Sequence, residues 1–219
     1  MPKVYMFKKI ILITLSIFFA VLSFSCNQAG DKSALPKNDA SGKPPFTKDA
    51  KPVPDSEVAV IEMENAVFGK VTIELYPNVA PKMVERFKQL IKEGAYDGTA
   101  FHRINETVVQ GGDPLSKTND PKVGSGKSGK PNVPAEFSDI PYETGIVGAA
   151  RLGNDINSQD CQFFIMLRRE AQFDKSYTVF GKVIDGMTNV RTISGVKPKE
   201  GERPVEPVRI KTVTLQPHP

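Results

Sequence analysis

Arg103 and Gln110 lie seven residues apart in the run FHRINETVVQGGDP, Phe101–Pro114. A two-residue turn at Glu106-Thr107 pairs Asn105 with Val108, Ile104 with Val109 and Arg103 with Gln110. Directly opposed hairpin residues project from one face. The spacing therefore sets a guanidinium, permanently charged and rich in donors, beside a carboxamide. Two readings stand at this point: a shared substrate site, or polar decoration of a solvent-facing hairpin.

Other chemical patterns lead away from catalysis by metal, nucleotide or nucleophile. PKVGSGKS, Pro121–Ser128, imitates a phosphate-binding loop, but Pro121 stands where that loop needs its first glycine. Gly129, Pro131 and Pro134 also forbid the helix that such a loop must open. A flexible Gly/Lys/Ser surface loop is expected there. His102 and His218 are the two histidines, with no Cys/His/carboxylate cluster around them, so no metal is expected. There is no serine nucleophile elbow, and Cys161 lacks a histidine partner and reads as a buried hydrophobe. No cofactor is implied.

The elements that must position these residues follow from hydrophobic period. KVTIELY, Lys70–Tyr76, sets Val71, Ile73 and Leu75 on one face and Thr72 and Glu74 on the other. Further strands are expected at 58–64, 99–104, 108–111, 145–150, 162–167, 179–184 and 208–215. Pro81 opens a helix whose apolar face is Val84, Phe87, Leu90 and Ile91, and Gly94 ends it. A shorter helix fits 187–193. Many short strands with two helices predict a closed barrel or a sandwich.

The N-terminus has a different character. Residues 1–25 carry Lys3, Lys8 and Lys9, no acid, and a 15-residue apolar run from Ile10 to Phe24. That run is short of the roughly 20 residues a spanning helix needs, and the pattern is that of a secretory signal peptide. LSFSC, Leu22–Cys26, resembles a bacterial lipoprotein processing box, which implies lipidation of Cys26 and attachment to a membrane of an exported protein. Residues 27–57, polar and rich in proline, are expected to form a disordered tether. The folded domain then spans 58–219. Loss of the three signal lysines leaves 26 basic residues of the original 29 against 25 acidic ones. A nearly neutral mature chain argues against nucleic-acid binding.

Across that domain the ordered stretches LYPNVAPKMVERF at 75–87, GAYDGTAFHRI at 94–104, QGGDP at 110–114, PAEF at 134–137, GIVGAAR at 145–151, QFFIML at 162–167 and YTVFGKVIDGM at 177–187 resemble a bacterial cyclophilin, a peptidyl-prolyl cis/trans isomerase. The resemblance implies an eight-stranded antiparallel β-barrel capped by two α-helices, acting as a monomer on proline-containing segments of exported proteins. It implies that Arg103 is catalytic and that Val108, Gln110, Ala150, Arg151, Gln162, Phe164, Phe173 and Tyr177 line the cleft. It also leaves an alternative: an X-Pro peptide-binding module with little turnover.

The sequence departs from the family pattern at RINETVVQ, Arg103–Gln110. Cyclophilins usually have one more residue here, with a Pro-Gly turn and a pocket Phe. Val108 replaces the pocket Met, Thr107 the Phe, and Arg151 a cleft Asn; Gln172 stands where some relatives have Trp. Loss of an apolar wall is expected to weaken proline binding by about 1–3 kcal/mol.

Overall fold

The computed structural model describes residues 46–118, 120–197 and 200–219. The expected signal segment 1–25, Cys26 and the expected tether as far as residue 45 lie outside the described residues. Among the described residues no helix is long and apolar enough to cross a membrane.

In chain order the strands are β1 (Phe46–Thr47), β2 (Glu57–Met63), β3 (Lys70–Leu75), β4 (Ala100–Phe101), β5 (Arg103–Ile104), β6 (Val108–Gly111), β7 (Phe137–Ser138), β8 (Ile146–Ala149), β9 (Phe163–Met166), β10 (Val179–Asp185) and β11 (Val208–Pro217). The helices are α1 (Pro81–Lys92) and α2 (Met187–Ser194). Among the described residues nine strands form one antiparallel sheet in the order β4-β11-β2-β3-β10-β8-β9-β6-β5. Its two end strands, β4 and β5, are separated in the chain by His102 alone. One bent segment thus pairs with β11 through Phe101 and Ala100, and with β6 through Arg103 and Ile104. That bend nearly closes the sheet into a barrel. It also corrects the expected count of eight strands: the run expected at 99–104 breaks at His102, which makes nine.

Burial follows the alternation. Val71, Ile73 and Leu75 of β3 are fully buried, as are Val147 and Ile165. They join Met83, Phe87 and Leu90 of α1 and Val190 and Ile193 of α2 in a single interior cluster. Pro81 does open α1, and Gly94 follows it at φ 64°. Ala80 gives α1 no side-chain cap. Instead, Glu136 accepts hydrogen bonds from the backbone N–H groups of Lys82 and Met83 at 3.1 and 3.0 Å. These are two of the orphan donors at a helix start.

Order begins before Val58, where the tether was expected to continue. β1 pairs in parallel with β7. The Asp139 carboxylate accepts the backbone N–H groups of Asp49 and Ala50 at 2.6 and 3.0 Å, and Asn78 both accepts from Val53 and donates to the carbonyl of Lys51. Composition hides this docking because backbone hydrogen bonds to distant side chains hold the segment, with few apolar contacts.

His102, at the bend, is buried. Burial holds its imidazole below the ordinary value of 6.5, against an opposing pull from Asp113. A base with a depressed folded pKa stabilises the fold fully above its unfolded pKa and loses that contribution as pH falls below it. Urea denaturation between about pH 7.5 and 5.5 is therefore expected to show a steeper loss of stability for the native chain than for His102→Gln. Parallel pH profiles for the two would overturn this assignment.

Candidate active site

The Arg103–Gln110 spacing yields the register it predicts: Arg103 faces Gln110, and Ile104 faces Val109. The Asn105 side-chain oxygen closes the turn by accepting the N–H groups of Thr107 and Val108, each at 2.8 Å. The row continues across the sheet. Gln110 faces Phe164, Phe164 faces Gly148, and Gly148 faces Val179. Directly opposed residues share a face, and their alternate neighbours Val109, Ile165 and Val147 fill the barrel. The row therefore lies on the outer wall.

A second apolar cluster covers that wall. It holds Val108, Tyr142, Phe164, Met166 and Val179, with Ala150, Phe173 and Tyr177 packed against it. The ring of Phe164 meets those of Phe173 and Tyr177 edge-on, each at 5.6 Å, and Phe173 and Tyr177 are 4.9 Å apart. Tyr142 stacks behind Phe164 at 5.8 Å. Sequence reasoning missed Tyr142. It stands in no regular element, so no periodicity exposes it. Burial, reinforced by Tyr177 and Asp174, holds its phenol well above the ordinary range.

A recess of about 80 Å³ opens over these rings, lined by Arg103, Val108, Gln110, Ala150, Arg151, Phe164, Phe173 and Tyr177. Gln162, the remaining expected cleft residue, adjoins it by accepting a hydrogen bond from Gln110 at 3.0 Å. A neighbouring cavity of about 210 Å³ shares Gln110, Ala150 and Arg151 with the recess and continues past Gln162. The structure thus brings together every cleft residue named from the sequence. Thr107, expected to replace the pocket Phe, does not line the recess; its Oγ1 accepts from Arg168 at 3.2 and 3.3 Å.

The polar side of the recess is fixed by chained hydrogen bonds. Arg103 Nη1 donates to Gln110 Oε1 at 3.3 Å, and Nε donates to Glu202 Oε2 at 2.6 Å. The Arg151 guanidinium lies 4.5 Å over the Tyr177 ring and donates to the carbonyls of Ser176, Leu152 and Gly153. Gln162 donates to the carbonyls of Gly124 and Gly126. The buried Asp113 of QGGDP accepts the N–H groups of Gly124 and Gly126 at 2.6 and 3.0 Å. Residues 121–128 form the expected surface loop, but Asp113 pins its glycines, and Gly124, Ser125, Gly126 and Lys127 line the neighbouring cavity. Cys161 also lines that cavity, and burial pushes its thiol up to about 12; its sulfur is no nucleophile at neutral pH.

Gly148 makes room for the recess floor. A Cβ there would sit 2.4 Å from Phe164 Cζ and 2.8 Å from the Tyr142 hydroxyl. Gly148→Ala must displace one of these rings, an overpacking cost of about 1–3 kcal/mol. A several-fold rise in KM for an X-Pro peptide is expected, together with a lowered Tm. If both quantities stay at native values, Gly148 does not set the floor.

The model of the family described as cyclophilin type peptidyl-prolyl cis-trans isomerase/CLD matches residues 59–215. A probable peptidyl-prolyl cis-trans isomerase of Brucella suis is 41% identical over 154 residues, covering 68% of this chain and 78% of the relative. The peptidyl-prolyl cis-trans isomerase ppi1 of Schizosaccharomyces pombe is 36% identical over 166 residues, covering 72% of this chain and all of the relative. A crystal structure of a cyclophilin type isomerase from Cryptosporidium parvum, determined in the presence of the dipeptide Ala-Pro, superposes with a TM-score of 0.66 at 25% identity; it covers 74% of this chain and 99% of that one. The barrel, the outer-wall recess and these likenesses have one consequence: the chain belongs to the cyclophilin-type peptidyl-prolyl cis-trans isomerases.

Proposed function

We propose that this isomerase acts on X-Pro segments of exported proteins, that the proline ring enters the aromatic recess, and that Arg103 stabilises the twisted amide. The observation that carries the reading is the recess itself, where a permanent cation and Gln110 stand at the rim of a floor of aromatic rings. Rotation about a peptide bond faces a barrier of about 18–20 kcal/mol, because the nitrogen shares its lone pair with the carbonyl. Rotation breaks no covalent bond, so no nucleophile or cofactor enters the step. In the twisted amide the lone pair is localised on nitrogen, where it accepts a hydrogen bond that the planar amide cannot. A guanidinium that anchors the proline carbonyl and offers an N–H to that nitrogen binds the transition state in preference to the ground state. Phe164, Phe173 and Tyr177 supply apolar grip, and Gln110 and Gln162 supply polar groups for the substrate backbone.

Exchange NMR on an X-Pro peptide with the full chain and with Arg103→Ala tests the role of Arg103. Background rates for both would leave a peptide-binding module. The export reading rests on the basic, then apolar, N-terminus and on Cys26. Labelled palmitate is expected to enter the native chain and not Cys26→Ala; equal labelling of both would overturn the anchor.

A further inference from the structure

Arg103 is a long side chain, and its own side chain is 44% exposed. Left to itself it samples many rotamers, and ordering it for each substrate costs entropy. Two groups hold it on different edges. Gln110 takes one Nη1 hydrogen, and the Glu202 carboxylate takes Nε–H. Nη2 has no hydrogen-bond partner among the described residues.

Glu202 is itself held. Its other oxygen accepts from Asn105 Nδ2 at 3.0 Å, and the same Asn105 carboxamide closes the β5–β6 turn. This hydrogen bond, then the pairing with Arg103, draws the Glu202 carboxyl below its ordinary range. The loop that presents Glu202 is closed by the N–H of Val205 on the carbonyl of Lys197 at 3.1 Å and pinned by Arg203 on the carbonyl of Val123 at 3.1 Å. Glu202 adopts φ 65°, a left-handed conformation uncommon outside glycine, just after Gly201 at 76°. Such backbone persists where surrounding contacts hold it.

We infer that Glu202 is a positioning residue for the isomerase reaction, which with Asn105 braces Arg103 so that its Nη edge faces the recess. This rests on the reading that Arg103 meets the twisted amide. The carboxylate sits at Nε and so fixes the direction of the side chain without occupying the edge offered to substrate. Asn105 belongs to the shortened turn, and the turn that lacks an aromatic wall is the one that ties Glu202 to Arg103. No local signal marks Glu202 in the sequence, for it lies 99 residues beyond its partner.

The test measures kcat and KM separately in the full chain for Glu202→Gln, Glu202→Ala and Asn105→Ala, and records the Arg103 Nε–H NMR resonance in each. A partly exposed ion pair predicts roughly a five-fold fall in kcat with little change in KM for Glu202→Ala, and a smaller fall for Asn105→Ala. Glu202→Gln keeps an acceptor oxygen and is expected to retain part of the lost rate. The Arg103 Nε–H resonance is expected to shift in both Glu202 variants. An unshifted resonance overturns the brace whatever the activity. A shifted resonance with unchanged or raised kcat, while Arg103→Ala has lost activity, overturns the positioning role and leaves Glu202 a bystander or an obstacle. Native activity in Arg103→Ala instead overturns the role of Arg103, while the resonance still reports whether Glu202 holds it.

Discussion

Replacement of Arg103 with alanine is expected to lower kcat/KM by roughly ten- to 150-fold, the equivalent of one charge-assisted hydrogen bond of about 1.5–3 kcal/mol. On the proposed mechanism the loss should fall on kcat, because a hydrogen bond to a localised nitrogen lone pair exists only in the twisted amide. Arg103→Lys keeps the charge but replaces a planar fork with a compact ammonium, so most of the loss should remain. On the same proposal, a 10⁵-fold acceleration would require about 7 kcal/mol, more than one such hydrogen bond supplies, and the aromatic recess and the polar row through Gln110 and Gln162 would contribute the remainder. Stability should hardly change, since the Arg103 side chain is 44% exposed and its ion pair with Glu202 is near the surface. Exchange NMR with a thermal denaturation control checks both parts. An effect below about three-fold on kcat/KM would remove Arg103 from the mechanism.

Phe87→Ala is expected to cost about 3–5 kcal/mol of stability. Phe87 is fully buried on the inner face of α1, with ring centroids 5.2 Å from Tyr96, 5.5 Å from Phe163 and 5.1 Å from Phe180. The variant leaves a void bounded by a helix and two strands, and rigid strands collapse little to fill it. For a domain of this size Tm should fall by on the order of 10 °C. Chemical denaturation at constant m-value is the direct measurement; a shift under about 1 kcal/mol would show that the helix repacks. The recess stands on the opposite face of β9 from Phe163, so the surviving folded fraction should keep a near-native KM.

The Arg103–Gln110 register was legible because hairpin geometry is local. Once Glu106-Thr107 is taken as the turn, Arg103 must face Gln110, and the period of two sends Val109 inward. The strand at 108–111 lies where it was expected, and the other expected strands begin and end within a residue or two of expectation, whereas β1 and β7 were not expected. The break at His102 was not legible: it arises from barrel closure, where one segment must pair with β11 on one side and β6 on the other. The docked segment at 46–57 escaped notice for a related reason, since Asp139 and Asn78 hold its backbone from far along the chain.

Local pattern alone thus determined which faces are apolar, where helices begin, and that a guanidinium and a carboxamide stand side by side. Resemblance then assigned the remaining cleft residues, and the fold placed them around one recess. Only the tertiary structure decided that Tyr142 backs Phe164, that Asp113 pins the glycine loop beside Gln162, and that Glu202 reaches Arg103. The physical reason is range. Periodicity records whether a residue meets core or solvent, a property of its own strand or helix. Which groups meet across 11 to 99 residues depends on how the sheet twists and closes, and no single segment carries that information.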